Sequence, residues 1–456
     1  MHPVVSPLFG KAKVKLTQTP RAVTPFGGLA SFIAFLQQRG FAEQVPAHLP
    51  WQLTSPNAIP LAHTFTAFVI GVITGARRFA HTELARADRA LHRLLGLPRW
   101  PGADTVRGFF HRFTQGTIQQ FWRPLWLWLL GLVTCPPGGC SLDLDSTVFQ
   151  RAGQQQGAAR GYNPRRPGRK SHHPLVAVLA EVPLVLHGWL RSGNTGAAKG
   201  AVAFLCEALA LLPAGWSIRC VRADSGFFED ALMRFLEQRQ LPYLVVARLT
   251  PQLKRKAAGL RDWQAVDDHY ATGEFTAQLL GWQAPRRFVV VRERVRESKA
   301  AVGRKLLDVP GYTFRLWVTN RTEGPRELWR DYNGRATIEQ RIEELKHDLA
   351  ADGFCTQNFW ATEAAFLAVL FAFNLLSLYQ QSATPNSRYR QPATLRAAVF
   401  LGGAILGRSG HQAVLHLSAA WGGWSKHKPL LEAIFQWPRS TPPKLTPPTT
   451  LQPNSA

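Results

Sequence analysis

The spacing of apolar positions divides the chain into unlike parts. Up to about residue 135, apolar side chains recur every three or four positions. Runs over roughly 28–40, 61–79, 81–95, 103–114 and 117–133 predict amphipathic helices punctuated by Pro and Gly. In the fourth run, Asp104-Thr105-Val106-Arg107 ahead of Phe109, Phe110 and Phe113 reads as a capped helix start. Past Pro136-Pro137-Gly138-Gly139 the character changes: 140–149 alternates apolar and polar in the manner of a strand, and 174–182 and 184–191 predict two more. A helix over 196–212, a strand at 217–223, a helix over 228–239 and a strand at 243–248 follow. Three strands, helix, strand, helix, strand is a mixed α/β order.

The stretch 251–312 is charged and irregular, with strand-like pieces at 274–280 and 287–292, and reads as an insertion. The core resumes with a strand at 313–319, a long helix over 325–351 and an apolar helix from Ala361. The expected organisation is therefore a helical region at 1–135, one core in two parts at 136–250 and 313–382, and an insertion subdomain at 251–312 between them. A small helical region at 383–436 and a Pro-, Thr- and Ser-rich tail at 437–456, expected to be disordered, complete it.

Charge changes this picture from fold to partner. The 456 residues carry 54 Lys and Arg against 29 Asp and Glu, a net charge of +25. Self-repulsion of that size gains the fold nothing, so the excess points to a polyanion, nucleic acid before an acidic membrane. Arg77, Arg78, Arg86, Arg89, Arg93 and Arg107 make the helical region a candidate DNA-docking surface, or simply a solvated basic face. The segment 361–379 carries Glu363, Asn374 and Ser377 and reads as a buried core helix rather than a membrane span. Lys11, Lys13 and Lys15 precede no apolar run, so no secretory signal is expected. Five cysteines without a CxxC pair argue against a disulfide framework or a zinc ribbon and for a reduced, cytoplasmic protein.

The chemistry concentrates in the helix predicted at 325–351. At about 100° per residue, Ile338, Ile342, Leu345 and Leu349 form the buried stripe. Tyr332, Arg335, Glu339 and Lys346 form a second stripe along its flank. An Arg and a Glu four apart need mean no more than a helical ion pair. Glu343 and Glu344 fall at angles that point to solvent.

Tyr, two residues, Arg, three residues, Glu, six residues, Lys resembles the signature of bacterial insertion-sequence DDE transposases, and this helix matches all four positions. The resemblance extends over about 100–380. It includes Asp145-Ser146-Thr147 at the end of the first strand and Arg222-Ala223-Asp224-Ser225-Gly226-Phe227 at the end of the fourth. The run from Gly157 to Asn163, followed by His173-Pro174-Leu175, resembles one subgroup. It implies a ribonuclease H-like core in which Asp145, Asp224 and Glu339 are catalytic and hold two Mg2+ or Mn2+ ions. Tyr332, Arg335 and Lys346 would contact phosphates of the element end. Partners would be double-stranded DNA with terminal inverted repeats and target DNA, the active complex a homodimer, a hairpin its intermediate, and its location the bacterial nucleoid.

Alternatives remain open on the residues themselves. Asp143 shares a strand face with Asp145 and could be the ligand in its place. The loop from Arg160 to Lys170, with Arg165 and Arg166, would track a DNA backbone or stand as a basic solvated loop. Trp263, Trp282 and Trp317 are candidates to stack on a base, or core residues; none is assigned. His172-His173 reads as part of a loop–strand junction rather than a metal site. Rival functions are a catalytically silent DNA-binding protein of transposase descent and a metal-dependent nuclease that does not join strands.

Overall fold

Strand-period segments from both parts of the chain build one nine-stranded sheet in the computed structural model, which describes residues 4–9, 11, 13–163, 166–294, 311–383, 389–420 and 424–436. Its strands are β1 (Cys140–Ser146), β2 (Leu175–Leu179), β3 (Leu184–Trp189), β4 (Ile218–Ala223), β5 (Tyr243–Val246), β6 (Gln264–Ala265), β7 (Tyr270–Ala277), β8 (Arg286–Arg294) and β9 (Tyr312–Thr319). They lie in the order β6-β7-β8-β9-β5-β4-β1-β2-β3. β4 runs parallel to β1 and β5, and every other pairing is antiparallel. The central strands are apolar on both faces: β2 is buried at all five positions.

Helix α4 (Phe359–Ala383) crosses the free edge of β3. Asn374 donates to the Val185 carbonyl and accepts from the Val185 N–H, each at 2.8 Å, and Glu363 accepts from Leu190 N at 3.2 Å. Side chains thus finish an edge that would otherwise offer unpaired backbone groups. The helix is long and apolar enough to cross a membrane, but it is buried in this fold and serves as its core, as its polar interruptions predicted. Its Phe371 ring lies 5.8–6.3 Å from those of Phe41, Phe65, Trp122, Trp126 and Trp128. The helices Leu61–Thr74 and α1 (Gln115–Gly131) therefore share one continuous core with the sheet.

Several expectations are corrected. The irregular stretch after 250 begins with a helix, Pro251–Ala258, and its strands extend the main sheet through β9. Residues 383–436 are not all helical: a hairpin, Ala404–Ser409 with Gln412–Leu417, turns at Gly410 (φ 57°) and pairs with Val23–Thr24. The run at 81–95 splits into a 3-10 stretch, Phe79–Ala87, and a helix, Arg89–Leu95. Asp104 is not a cap. It sits inside the first turn of Ala103–Phe110 and pairs with Arg107. The predicted tail and Arg165 lie outside the described residues.

The largest correction concerns the signature helix. It is two helices, α2 (Pro325–Asn333) and α3 (Ala336–Glu343), ending in a π-turn at Glu344–Asp348. Asn333-Gly334, both weak helix formers, lie at the break. A Cβ on Gly334 would come within 3.0 Å of Arg222 Nη1, so glycine leaves room for that guanidinium. The π-turn leaves carbonyls unpaired, and arginines from elsewhere cap them: Arg77 donates to His347 O and Arg396 to Asp348 O, both at 2.8 Å. The turn also carries Glu344 inward, against the expectation of solvent. Its carboxylate is buried and accepts from Arg341 at 2.8 Å and Tyr389 at 2.9 Å.

Candidate active site

β1 and β4 are neighbouring parallel strands, with Leu144 opposite Ala223, so the residue after each pair stands at the same end of the sheet. Those residues are Asp145 and Asp224. Asp145 has 13 % of its side chain exposed; Oδ1 accepts from Ser146 N at 2.7 Å and Oδ2 lies 3.2 Å from Arg335 Nη2. Asp224 is half-buried and its Oδ1 accepts from Gly226 N at 2.9 Å, capping the turn Ser225–Phe227. Glu339, on α3, is 71 % exposed, with Oε1 3.8 Å from Arg335 Nη1. Arg335, the N-cap of α3, thus lies between two of the carboxylates.

The electrostatics bind this group together. Burial pushes the Asp145 carboxyl up to about 6; Arg335 and the Ser146 N–H oppose the rise, and Asp224 and Glu339 add to it. Tyr332 is pushed up to about 12, by burial first, with Arg335 pulling against it. Its hydroxyl points at the Ala223 carbonyl, 3.4 Å away, and its ring packs on Trp317. Lys346 is half-buried on the π-turn. Arg166 is exposed in its loop, where its N–H donates to Asn163 Oδ1 at 3.0 Å.

Asp143 is placed otherwise than Asp145, although the strand presents both to one face. It is fully buried, and Arg222 donates Nε to Oδ1 at 2.6 Å and Nη2 to Oδ2 at 2.9 Å. The Arg222 Nη1 goes on to the Asp331 carbonyl at 2.6 Å, and the Asp331 carboxylate also meets Arg219 and Arg321. Both Asp143 oxygens are therefore committed to a fork. Sequence reading missed this network. Its signal was the register: Arg222 sits directly beside Asp143 on the adjacent strand.

The other candidates have structural employment. His172 bonds Arg151 Nε and Gln156 O, each at 3.0 Å, and His173 bonds Thr195 O at 2.7 Å, so both hold the loop–strand junction. In the subgroup run, Gly161 passes so close to Gly193 that a Cβ would meet its carbonyl at 1.9 Å. Trp317 is buried, while Trp263 and Trp282 carry the guanidinium groups of Arg292 and Arg286 over their rings at 4.3 and 4.8 Å. All five cysteines are free. As the side chains stand, no three His, Cys, Asp or Glu residues among those described are close enough to hold a metal ion.

The chain thus sets Asp145 and Asp224 at adjoining strand ends, with the buried Arg335 between Asp145 and Glu339. The family "Transposase DDE domain group 1" matches residues 6–438, and the chain belongs to it: this is a DDE-type transposase. Among solved structures it is similar to the cryo-EM structure of the piggyBac transposase synaptic complex with hairpin DNA. Identity is 12 %, the match covers 84 % of this chain and 82 % of that one, and the TM-score is 0.45. No curated protein matches the chain.

Proposed function

We propose that this transposase cuts and joins the ends of an insertion sequence, with Asp145, Asp224 and Glu339 as its metal-binding carboxylates in a ribonuclease H-like core. The observation that carries the reading is the coincidence of Asp145 and Asp224 at the ends of adjacent parallel strands, with Arg335 beside Asp145 at 3.2 Å and 3.8 Å from Glu339. The order β3-β2-β1-β4-β5, with β1 to β3 antiparallel and β4 and β5 parallel to β1, supports the core assignment.

The donor set suits a hard divalent ion, Mg2+ or Mn2+, because it is all carboxylate oxygen with no thiolate or imidazole among it. Two such ions, when bound, stabilise the attacking and leaving oxygens of phosphodiester displacement. The protein's own part is positional. β1 and β4 fix Asp145 and Asp224, the turn at Ser225 holds one Asp224 oxygen, and Glu339, exposed on α3, would supply the third carboxylate. Tyr332, Arg335, Lys346, Arg165 and Arg166 would contact phosphates of the element end when DNA is bound, and a homodimer working on the bacterial nucleoid would bring the inverted-repeat ends together.

The test is a cleavage and strand-transfer assay with Mg2+ and the inverted repeats flanking the gene as substrate. Cutting at the repeats followed by joining to target DNA is expected. Cutting without joining would leave a nuclease, and binding without cutting a silent DNA-binding protein.

A further inference from the structure

Arg335 is turned into the protein rather than toward any substrate. It is 4 % exposed, and Nη2 donates to the Leu144 carbonyl at 3.0 Å while standing 3.2 Å from Asp145 Oδ2. Nη1 reaches only to 3.8 Å from Glu339, and Nε, though buried, has no acceptor among the described residues. A buried guanidinium is costly unless its donors are filled. Arg222, one strand away, shows a filled one: a two-pronged fork on Asp143 with a third bond to a carbonyl. Arg335 has the burial without the closed network. What retains it is negative charge beside it: Asp145 first, at 3.2 Å, with Asp224 and Asp143 further off and exposed Glu339 at 3.8 Å.

Resting on the reading of Asp145, Asp224 and Glu339 as metal-binding carboxylates, we propose that Arg335 is the resident counter-cation of Asp145 and Glu339. It neutralises Asp145 and Glu339 in the DNA-free enzyme and competes with the incoming divalent ion for the same oxygens. Loading the site requires the guanidinium to leave Asp145. Its position favours that exit, because Arg335 is the N-cap of α3 beside the break at Asn333-Gly334 and not a residue locked in mid-helix. Once released, the same guanidinium is available to a phosphate, which accounts for an arginine of the signature being buried here.

The experiment is Mn2+ titration of the full-length, DNA-free protein, with free Mn2+ read by electron paramagnetic resonance. Arg335→Gln is expected to bind Mn2+ about tenfold more tightly than the wild type, because a competing cation is gone. Arg335→Lys, which keeps the charge but not the fork, falls between them. An unchanged or weaker affinity in Arg335→Gln overturns the proposal; a purely structural arginine would give the weaker result. If that variant does not fold, the Arg335 guanidinium nitrogen resonances of the wild type serve instead: they shift as Mg2+ is added, and resonances that stay fixed overturn the idea. Asp145→Asn separates the two layers. Wild-type Mn2+ affinity in that variant would remove the carboxylate reading itself, whereas lost affinity there with Arg335→Gln unchanged removes the counter-cation alone.

Discussion

Two aspartates, two residues apart on β1, receive opposite treatment. Asp143 is sealed by Arg222 in a bidentate pair that continues through Asp331 to Arg219 and Arg321. Asp145 meets Arg335 by one prong, keeps some exposure, and has a second carboxylate, Asp224, at the end of the neighbouring strand. Both sit beside an arginine, so the difference lies in completeness. A closed network fixes the strands; an open one leaves oxygens able to change partners. The same strand end thus carries a structural ion pair one layer in and the proposed reactive group at its rim.

The comparison breaks most sharply at the rim. Asp224→Asn or Glu339→Gln should lower end cleavage by about 10³-fold or more, since each removes a charged ligand of the proposed metal site. Gel assays of labelled ends under Mg2+ check this, and cleavage near wild type in either would detach that residue from the chemistry. One layer in, Asp143→Ala should cost about 3–5 kcal/mol of stability, because it strands the buried Arg222 guanidinium. Urea denaturation measures it; a loss under 1 kcal/mol would mean that Arg222 finds another partner.

Acid sharpens the contrast. The folded Asp145 carboxyl, at about 6, lies above its unfolded value, so the folded state holds the proton more firmly. Its contribution to stability is full below pH 4 and is lost as pH rises toward 6, about 3 kcal/mol in all. Asp145→Asn should remove that slope from metal-free melts across this window, while the wild type retains it. Tyr389→Phe, which deletes one bond to buried Glu344 beneath the π-turn, should cost about 1 kcal/mol in the same measurement. The smallest effect belongs to Tyr332→Phe: its long contact to Ala223 should alter stability by less than about 0.5 kcal/mol, leaving any loss to appear in DNA binding.

The strands of the core and the apolar helix were legible because burial on two faces and on all sides leaves uninterrupted apolar runs, as in β2 and α4. The hairpin at Ala404–Leu417 was not, since Gly, His and Ser weaken its alternation and its partner strand lies near residue 23. At the site, the resemblance of the Tyr-Arg-Glu-Lys spacing and of the two Asp motifs to insertion-sequence transposases put Asp145, Asp224 and Glu339 forward; the spacing by itself allowed a plain helical ion pair. Helix angles failed at Glu344, because they assume an unbroken α-helix and the chain breaks at Gly334 and passes into a π-turn. The choice between Asp143 and Asp145 lay beyond one strand's pattern: it depends on what the neighbouring strand places beside each, and Arg222 is that neighbour.

The central claim, that the rim aspartate does chemistry and the inner one holds the fold, is tested most directly by assaying Asp145→Asn for end cleavage and thermal stability together. The account predicts a folded protein, at least as stable as the wild type above pH 6, that does not cut. A folded Asp145→Asn that cuts its ends at the wild-type rate would contradict it.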